Sequence, residues 1–184
     1  MADKLRILGI SGSLRKGSFN TAALHAAIEL CPDEAEIEIC EIGNLPLFDQ
    51  DFEHDPPAAV KEFKEKVAAA DAILFSTPEY NYSISGVLKN AIDCGSRPYG
   101  HSAWEGKPAA IMGASGGAIG TARAQYDLRK MMVFLNMFPI NRPEVMIGTA
   151  ANKFDDQGNL TDETTQQFIR QMLEALIAWT KKLQ

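Results

Sequence analysis

Three short segments of this chain carry side chains suited to binding chemistry. The first is Ser11–Gly12–Ser13–Leu14–Arg15–Lys16–Gly17–Ser18–Phe19–Asn20, which follows an apolar run, Leu5–Ile10, and opens a helical pattern. Glycine lets backbone N–H groups approach a ligand closely, hydroxyls add donors, and a helix N-terminus favours anionic charge. Ser11, Ser13 and Ser18 supply the hydroxyls, Arg15 a planar cationic fork, and Asn20 sits in the first helical turn. A phosphate group suits this loop. The spacing is neither G-x-x-x-x-G-K-[ST] nor G-x-G-x-x-G, so the two common nucleotide fingerprints are absent.

The second segment, Thr77–Pro78–Glu79–Tyr80–Asn81–Tyr82–Ser83–Ile84–Ser85–Gly86, follows another apolar run. It can lay a tyrosine beside a flat ring and offer polar groups to the ring edge. The third, Ser115–Gly116–Gly117–Ala118–Ile119–Gly120, presents backbone without side-chain obstruction. Each segment alone also reads as a capped or flexible turn. Together they describe a phosphorylated planar cofactor. No catalytic side chain and no metal site is expected: His25, His54 and His101 have no nucleophile motif nearby and read as solvated. Cys31, Cys40 and Cys94 lack metal-ligand spacing and read as reduced thiols.

The elements that must position these loops alternate along the whole chain. Apolar strands at Leu5–Ile10, over Ile37, Ile39 and Ile42, at Ala72–Thr77, at Ala109–Gly113 and at Val145–Ile147 interleave with five helical patterns. Ser18 is placed to cap the first helix and Thr161 the last. Glutamates alternating with Ile37, Ile39 and Ile42 mark the second strand as an edge. This (βα)₅ pattern predicts an α/β fold, a doubly wound five-stranded parallel sheet of order 2-1-3-4-5 with helices on both faces. The three loops then fall at the carboxyl ends of strands one, three and four, where the ligand crevice of such a sheet lies.

At 184 residues and 46% hydrophobic content, residues 1–184 suit one domain with a full core. The net charge of −6 argues against nucleic-acid binding. No apolar run approaches the length of about 20 residues that spans a bilayer. Met1 to Lys4 carries charge and leads straight into a strand, so no signal peptide is expected and the cytoplasm is the expected compartment.

Ile10–Asn20 and Thr77–Ser83 together resemble the NADPH-dependent FMN reductase family, in its bacterial soluble quinone and chromate reductase branch. The resemblance extends to Leu88–Asp93 and Ala122–Arg129. It implies a flavodoxin-like fold and bound FMN, with NADPH or NADH as co-substrate. By that resemblance Ser11, Ser13, Arg15, Ser18 and Asn20 hold the phosphate, and Leu14 is a further cofactor-binding residue. Pro78, Glu79, Tyr80, Asn81 and Ser83 line ribityl and ring, and Ser115, Gly116 and Gly117 form the third flavin loop. The reaction implied is hydride transfer from NAD(P)H to flavin, then delivery of two electrons to a quinone, chromate, azo compound or free flavin. Homodimers or homotetramers are implied too, with Arg123, Tyr126, Arg97, Tyr99 and Trp104 as candidate interface or rim residues. The competing reading is a flavodoxin-like electron carrier that does not itself oxidise NAD(P)H. A structural or regulatory flavin protein and a domain binding NAD alone complete the alternatives.

Overall fold

Inner strands that are apolar on both faces demand helices on both sides of their sheet. The computed structural model describes residues 4–184; Met1, Ala2 and Asp3, the start of the charged lead-in, lie outside the described residues. The elements run β1 (Leu5–Ser11), α1 (Phe19–Glu29), β2 (Ala35–Cys40), α2 (Ala58–Ala69), β3 (Ala72–Ser76), α3 (Gly86–Gly95), β4 (Pro108–Ala114), α4 (Ala122–Phe134), β5 (Phe138–Pro139), β6 (Val145–Ile147) and α5 (Glu163–Leu183). The sheet is parallel with order β2-β1-β3-β4-β5, and β6 also pairs β4. The predicted order holds.

The fifth position differs from expectation. Two short strands share it: β5 lies beside Pro108 and Ala109, and β6 beside Met112 to Ala114. Pro139 pairs Ala109 and Val145 pairs Met112, six positions on this side against three on β4, so the chain must leave the ladder between the two strands, where Pro143 has no N–H to give.

Successive residues of each inner strand serve opposite cores. Ile7, Leu74, Ala110 and Met112 pack under α1 and α5, while Leu8, Ile10, Ile73, Phe75 and Ile111 pack under α2, α3 and α4. In α5 the residues Ile169, Met172, Leu173, Leu176 and Ile177 repeat at helical spacing and all are buried. Each contributes roughly 1.5–3 kcal/mol by leaving water. The edge reading of β2 holds, with Glu36 and Glu38 exposed beside half-buried Ile37 and Ile39.

Two local expectations are corrected. The cap of α5 is Asp162, whose carboxylate accepts from the Thr165 N–H at 2.9 Å, while the Thr161 hydroxyl donates to Lys153 O. The Thr165 hydroxyl also donates to the Asp162 carboxylate and the Lys153 ammonium meets it at 3.1 Å; the hydroxyl first, then Lys153, hold the carboxyl below the usual range. Trp104 is no rim residue. It is fully buried between Phe63 and Phe75, each at 5.8 Å between ring centroids, and its indole N–H donates to Ile92 O at 3.0 Å. Gly95 is obligatory there, because a Cβ would stand 2.5 Å from the indole nitrogen.

The three histidines are exposed, as expected. The three thiols are free, and burial pushes each above the usual cysteine range.

Candidate cofactor site

The first loop ends in a helix start with unused donors. Ser18 caps α1, its hydroxyl accepting from the Asn20 and Thr21 N–H groups at 3.2 and 3.4 Å. Among the described residues, the N–H groups of Leu14, Lys16, Gly17, Ser18 and Phe19 have no protein acceptor. Arg15 and Lys16 are exposed, and neither is ion-paired among the described residues. The Arg15 guanidinium lies 5.5 Å from the Phe19 ring centroid. Clefts of about 300 and 290 Å³ flank the loop, so it is open to a ligand from either side. Unpaired amides, free hydroxyl protons on Ser13 and Ser18, and two cations fit a phosphate.

Other first-loop side chains are spoken for. Ser11 is buried and shares a hydrogen bond of 2.9 Å with the Thr21 hydroxyl. Leu14 reaches sideways, its Cδ2 standing 3.0 Å from where a Cβ on Gly43 would sit. Asn20 is 4% exposed, and its amide is occupied by Ala114 and Ser76.

The second loop is a tight turn. Tyr80 and Ser83 exchange N–H···O bonds at 3.0 Å, while Asn81 and Tyr82 take φ of 51° and 67°. Two left-handed residues in sequence make a type I′ turn, a sparsely populated conformation for tyrosine. It presents the Tyr80 and Tyr82 rings outward, both exposed. Arg123 stacks on Tyr82 at 4.0 Å. Glu79 does not point to a ligand: it accepts from the Arg123 guanidinium at 2.6 Å and from the Arg123 and Ala124 N–H groups. Burial would raise its carboxyl, but the Arg123 hydrogen bond and the two N–H groups outweigh that and hold it below the usual range. Ser83 lends its hydroxyl to Asp127 of α4, whose carboxyl is lowered chiefly by Lys130 and then by Ser83.

In the third loop, Ser115 anchors the chain by donating its N–H to Ile147 O at 3.0 Å and its hydroxyl to Gly120 O at 2.6 Å. The Gly116 and Gly117 N–H groups have no acceptor among the described residues, and a Cβ on Gly116 would meet nothing within 4 Å. Bare, unpaired backbone facing open space fits the polar edge of a flat ring. The floor under this loop went unread in the sequence. Gly148 lies so close that a Cβ would stand 2.2 Å from Ala118 O, and Thr149, at φ 45°, donates its N–H to Gly117 O. A Gly–Thr pair directly after a strand was the available signal.

Direct bonds tie the three loops into one rim. Gly12 donates to Ser76 O at 2.8 Å and accepts from the Ser85 hydroxyl at 2.5 Å, joining the first loop to the second. Asn20 joins the first to the third, and Glu79 joins the second to α4. All fourteen predicted site residues therefore lie along one edge of the sheet, at the carboxyl ends of β1, β3 and β4. What differs among them is which side chains remain available.

Residues 5–152 match the NADPH-dependent FMN reductase family. The chain is 54% identical over 184 residues to an NAD(P)H-dependent FMN reductase of Pseudomonas aeruginosa, covering 100% of this chain and 99% of that protein. It is 46% identical over 182 residues to a quinone reductase of Pseudomonas putida, covering 98% and 97%. Among solved structures, it is similar to the flavoenzyme NAD(P)H:(acceptor) oxidoreductase FerB of Paracoccus denitrificans. That similarity has a TM-score of 0.89 at 36% identity, over 97% of this chain and 98% of that one.

Proposed function

The chain belongs to the NADPH-dependent FMN reductase family, and from that membership we propose that it is an FMN-dependent NAD(P)H oxidoreductase serving a small oxidised acceptor. Quinones lead the acceptors, because relatives 43–46% identical over nearly the whole chain are quinone reductases. Chromate, azo compounds and free flavin are further acceptors of the same kind.

FMN, when bound, supplies the two-electron redox chemistry. The chain's part is to hold it and set its electrostatics. Ser13, Arg15, Ser18 and the N–H groups of Lys16 and Gly17 take the phosphate. Pro78, Tyr80, Asn81 and Ser83 border ribityl and ring, and Leu14 forms an outer wall. The Gly116 and Gly117 N–H groups face the ring's polar edge, where fixed donors stabilise the negative charge of reduction. Ser11, Glu79 and Ser115 act by holding the loops in place. The observation that carries this reading is the run of N–H groups at the α1 N-terminus that, like the neighbouring cations Arg15 and Lys16, have no partner among the described residues.

An electron carrier would enclose the ring between aromatic side chains. Here residues 115–120 offer Gly, Ser, Ala and Ile, leaving one face open to nicotinamide. Residues 1–184 are read as one domain, a reading supported by residues 4–184, which are built around one sheet with a core on each face. Self-association as a dimer or tetramer is supported by α4, which exposes Tyr126, Val133 and Phe134, the last two at 82% and 73%. Three free thiols support a cytoplasmic location.

The test is the absorption spectrum of the purified protein, followed by NADPH and NADH oxidation with and without a quinone. A yellow protein that oxidises NAD(P)H directly and turns over quinone is expected. A flavin-loaded protein that needs a separate reductase would make it a carrier instead.

A further inference from the structure

We propose that Asn20 is a positioning residue that locks the ring loop to the phosphate loop, and that it does not hold the phosphate. The proposal rests on FMN being the cofactor and concerns how this chain shapes the site for it.

The reason lies in where β3 stops. The β3–β4 ladder ends with the Thr77 N–H donating to Met112 O at 3.0 Å, and Pro78 then turns the chain away with no N–H to offer. Along a strand, alternate residues point their N–H and C=O to opposite sides. Ser115 donates toward β6, to Ile147 O. Ala114 therefore faces the side β3 has vacated, with both of its polar groups needing partners in a buried position.

Asn20 provides both partners. Its Nδ2 donates to Ala114 O at 2.9 Å, and its Oδ1 accepts from the Ala114 N–H at 2.9 Å. This two-point pairing is what a peptide group of a continuing strand would make. The buried Ser76 hydroxyl donates to the same Oδ1 at 3.3 Å, filling its second lone pair. Three of the amide's four hydrogen bonds are thus made inside the protein, at a residue 4% exposed. The side chain spans the second position of α1, the end of β3 and the end of β4. Ala114 immediately precedes Ser115–Gly116–Gly117, so Asn20 sets where the bare backbone of the ring loop stands relative to the phosphate cradle.

The test compares FMN with riboflavin, which has the ring and ribityl but no phosphate. Affinities of the cofactor-free protein for both are measured in wild type, Asn20→Ala, Asn20→Ser and Arg15→Ala, together with amide hydrogen exchange at residues 114–117. If Asn20 positions the ring loop, its variants weaken both ligands by the same factor, roughly tenfold for the lost buried bonds. Exchange at 114–117 also accelerates without any ligand present. Arg15→Ala weakens FMN alone and leaves that exchange unchanged. The proposal is overturned if the Asn20 variants lose FMN selectively, as Arg15→Ala does, with exchange at 114–117 unaltered. Asn20→Ser keeps the test decisive if the alanine variant does not fold. Wild-type protein that takes up no FMN would defeat the cofactor reading, while the exchange comparison would still decide the role of Asn20.

Discussion

One carboxylate, Glu79, caps a helix that begins more than 40 residues later and pins Arg123 as it does so. Its two oxygens accept the Arg123 guanidinium at 2.6 Å and the Arg123 and Ala124 N–H groups at 2.9 and 3.2 Å. The α4 cap residue, Thr121, makes no capping bond with its own side chain. Glu79 takes that place from another loop, where a negative charge also suits the helix dipole.

Replacing Glu79 by Gln is expected to lower stability by about 1–2 kcal/mol at neutral pH, the usual worth of a helix cap with a charged hydrogen bond. The folded carboxyl titrates below its unfolded value because Arg123 and the N–H groups outweigh burial. Its contribution is therefore complete above the ordinary carboxylate range and fades as pH falls through the lowered folded value. Thermal unfolding of both proteins at neutral pH and in acid checks this. A difference between them that does not shrink in acid would remove the charge from the explanation.

Two glycines in and under the ring loop should respond oppositely to the same methyl. A Cβ on Gly148 would stand 2.2 Å from Ala118 O, a backbone atom that cannot swing away. Gly148→Ala is expected to cost about 2–3 kcal/mol. At Gly116 a Cβ meets nothing, so Gly116→Ala should change stability by less than about 0.5 kcal/mol. On the proposed site it nonetheless lowers the flavin content of the purified protein, because it crowds the unpaired N–H groups. Denaturant unfolding and the flavin-to-protein absorbance ratio separate the two effects.

What the sequence revealed and what it hid divide along a physical line. The strand order, the Ser18 cap and the alignment of three loops at one sheet edge were legible, because each follows from local pattern: apolar periodicity, cap chemistry, and Gly or Pro at a strand end. Asn20 and Glu79 also read as site residues by type and place. Their actual partners were not legible, since Ala114 and Ala124 lie 94 and 45 residues away. Trp104 misled for a related reason. An aromatic in a loop rich in Arg, Tyr and Gly resembles a surface feature until Phe63 and Phe75 are seen to enclose it.

Trp104 touches three elements of one core, so its loss should be felt across that face of the sheet. Its ring contacts Phe63 of α2 and Phe75 of β3, and its N–H satisfies Ile92 O in α3. Trp104→Phe removes the donor and leaves a void against Gly95, which has no side chain to fill it. A loss of about 2–4 kcal/mol is expected from the cavity and the lost indole hydrogen bond together, although Ile92 O keeps the Ser96 N–H at 3.1 Å. Measured unfolding free energy tests this, and a loss below about 1 kcal/mol would mean the neighbours collapse onto the smaller ring.

Thr149 offers a change in the stabilising direction. It holds φ at 45° although β-branched, a conformation that costs L-residues roughly 1–2 kcal/mol. The strain persists because its N–H is needed by Gly117 O at 3.0 Å and the chain must turn sharply after Gly148. Asparagine tolerates the left-handed region better than threonine and lacks glycine's freedom in the unfolded chain. Thr149→Asn should therefore raise stability by about 1 kcal/mol, or several degrees in Tm for a chain of this size, while keeping the N–H that supports the ring loop. FMN affinity should stay at the wild-type level. A stabilised variant with weakened FMN binding would mean instead that the threonine side chain, by its strain, fixes the position of Gly117, and that the ring loop depends on that strain for its shape.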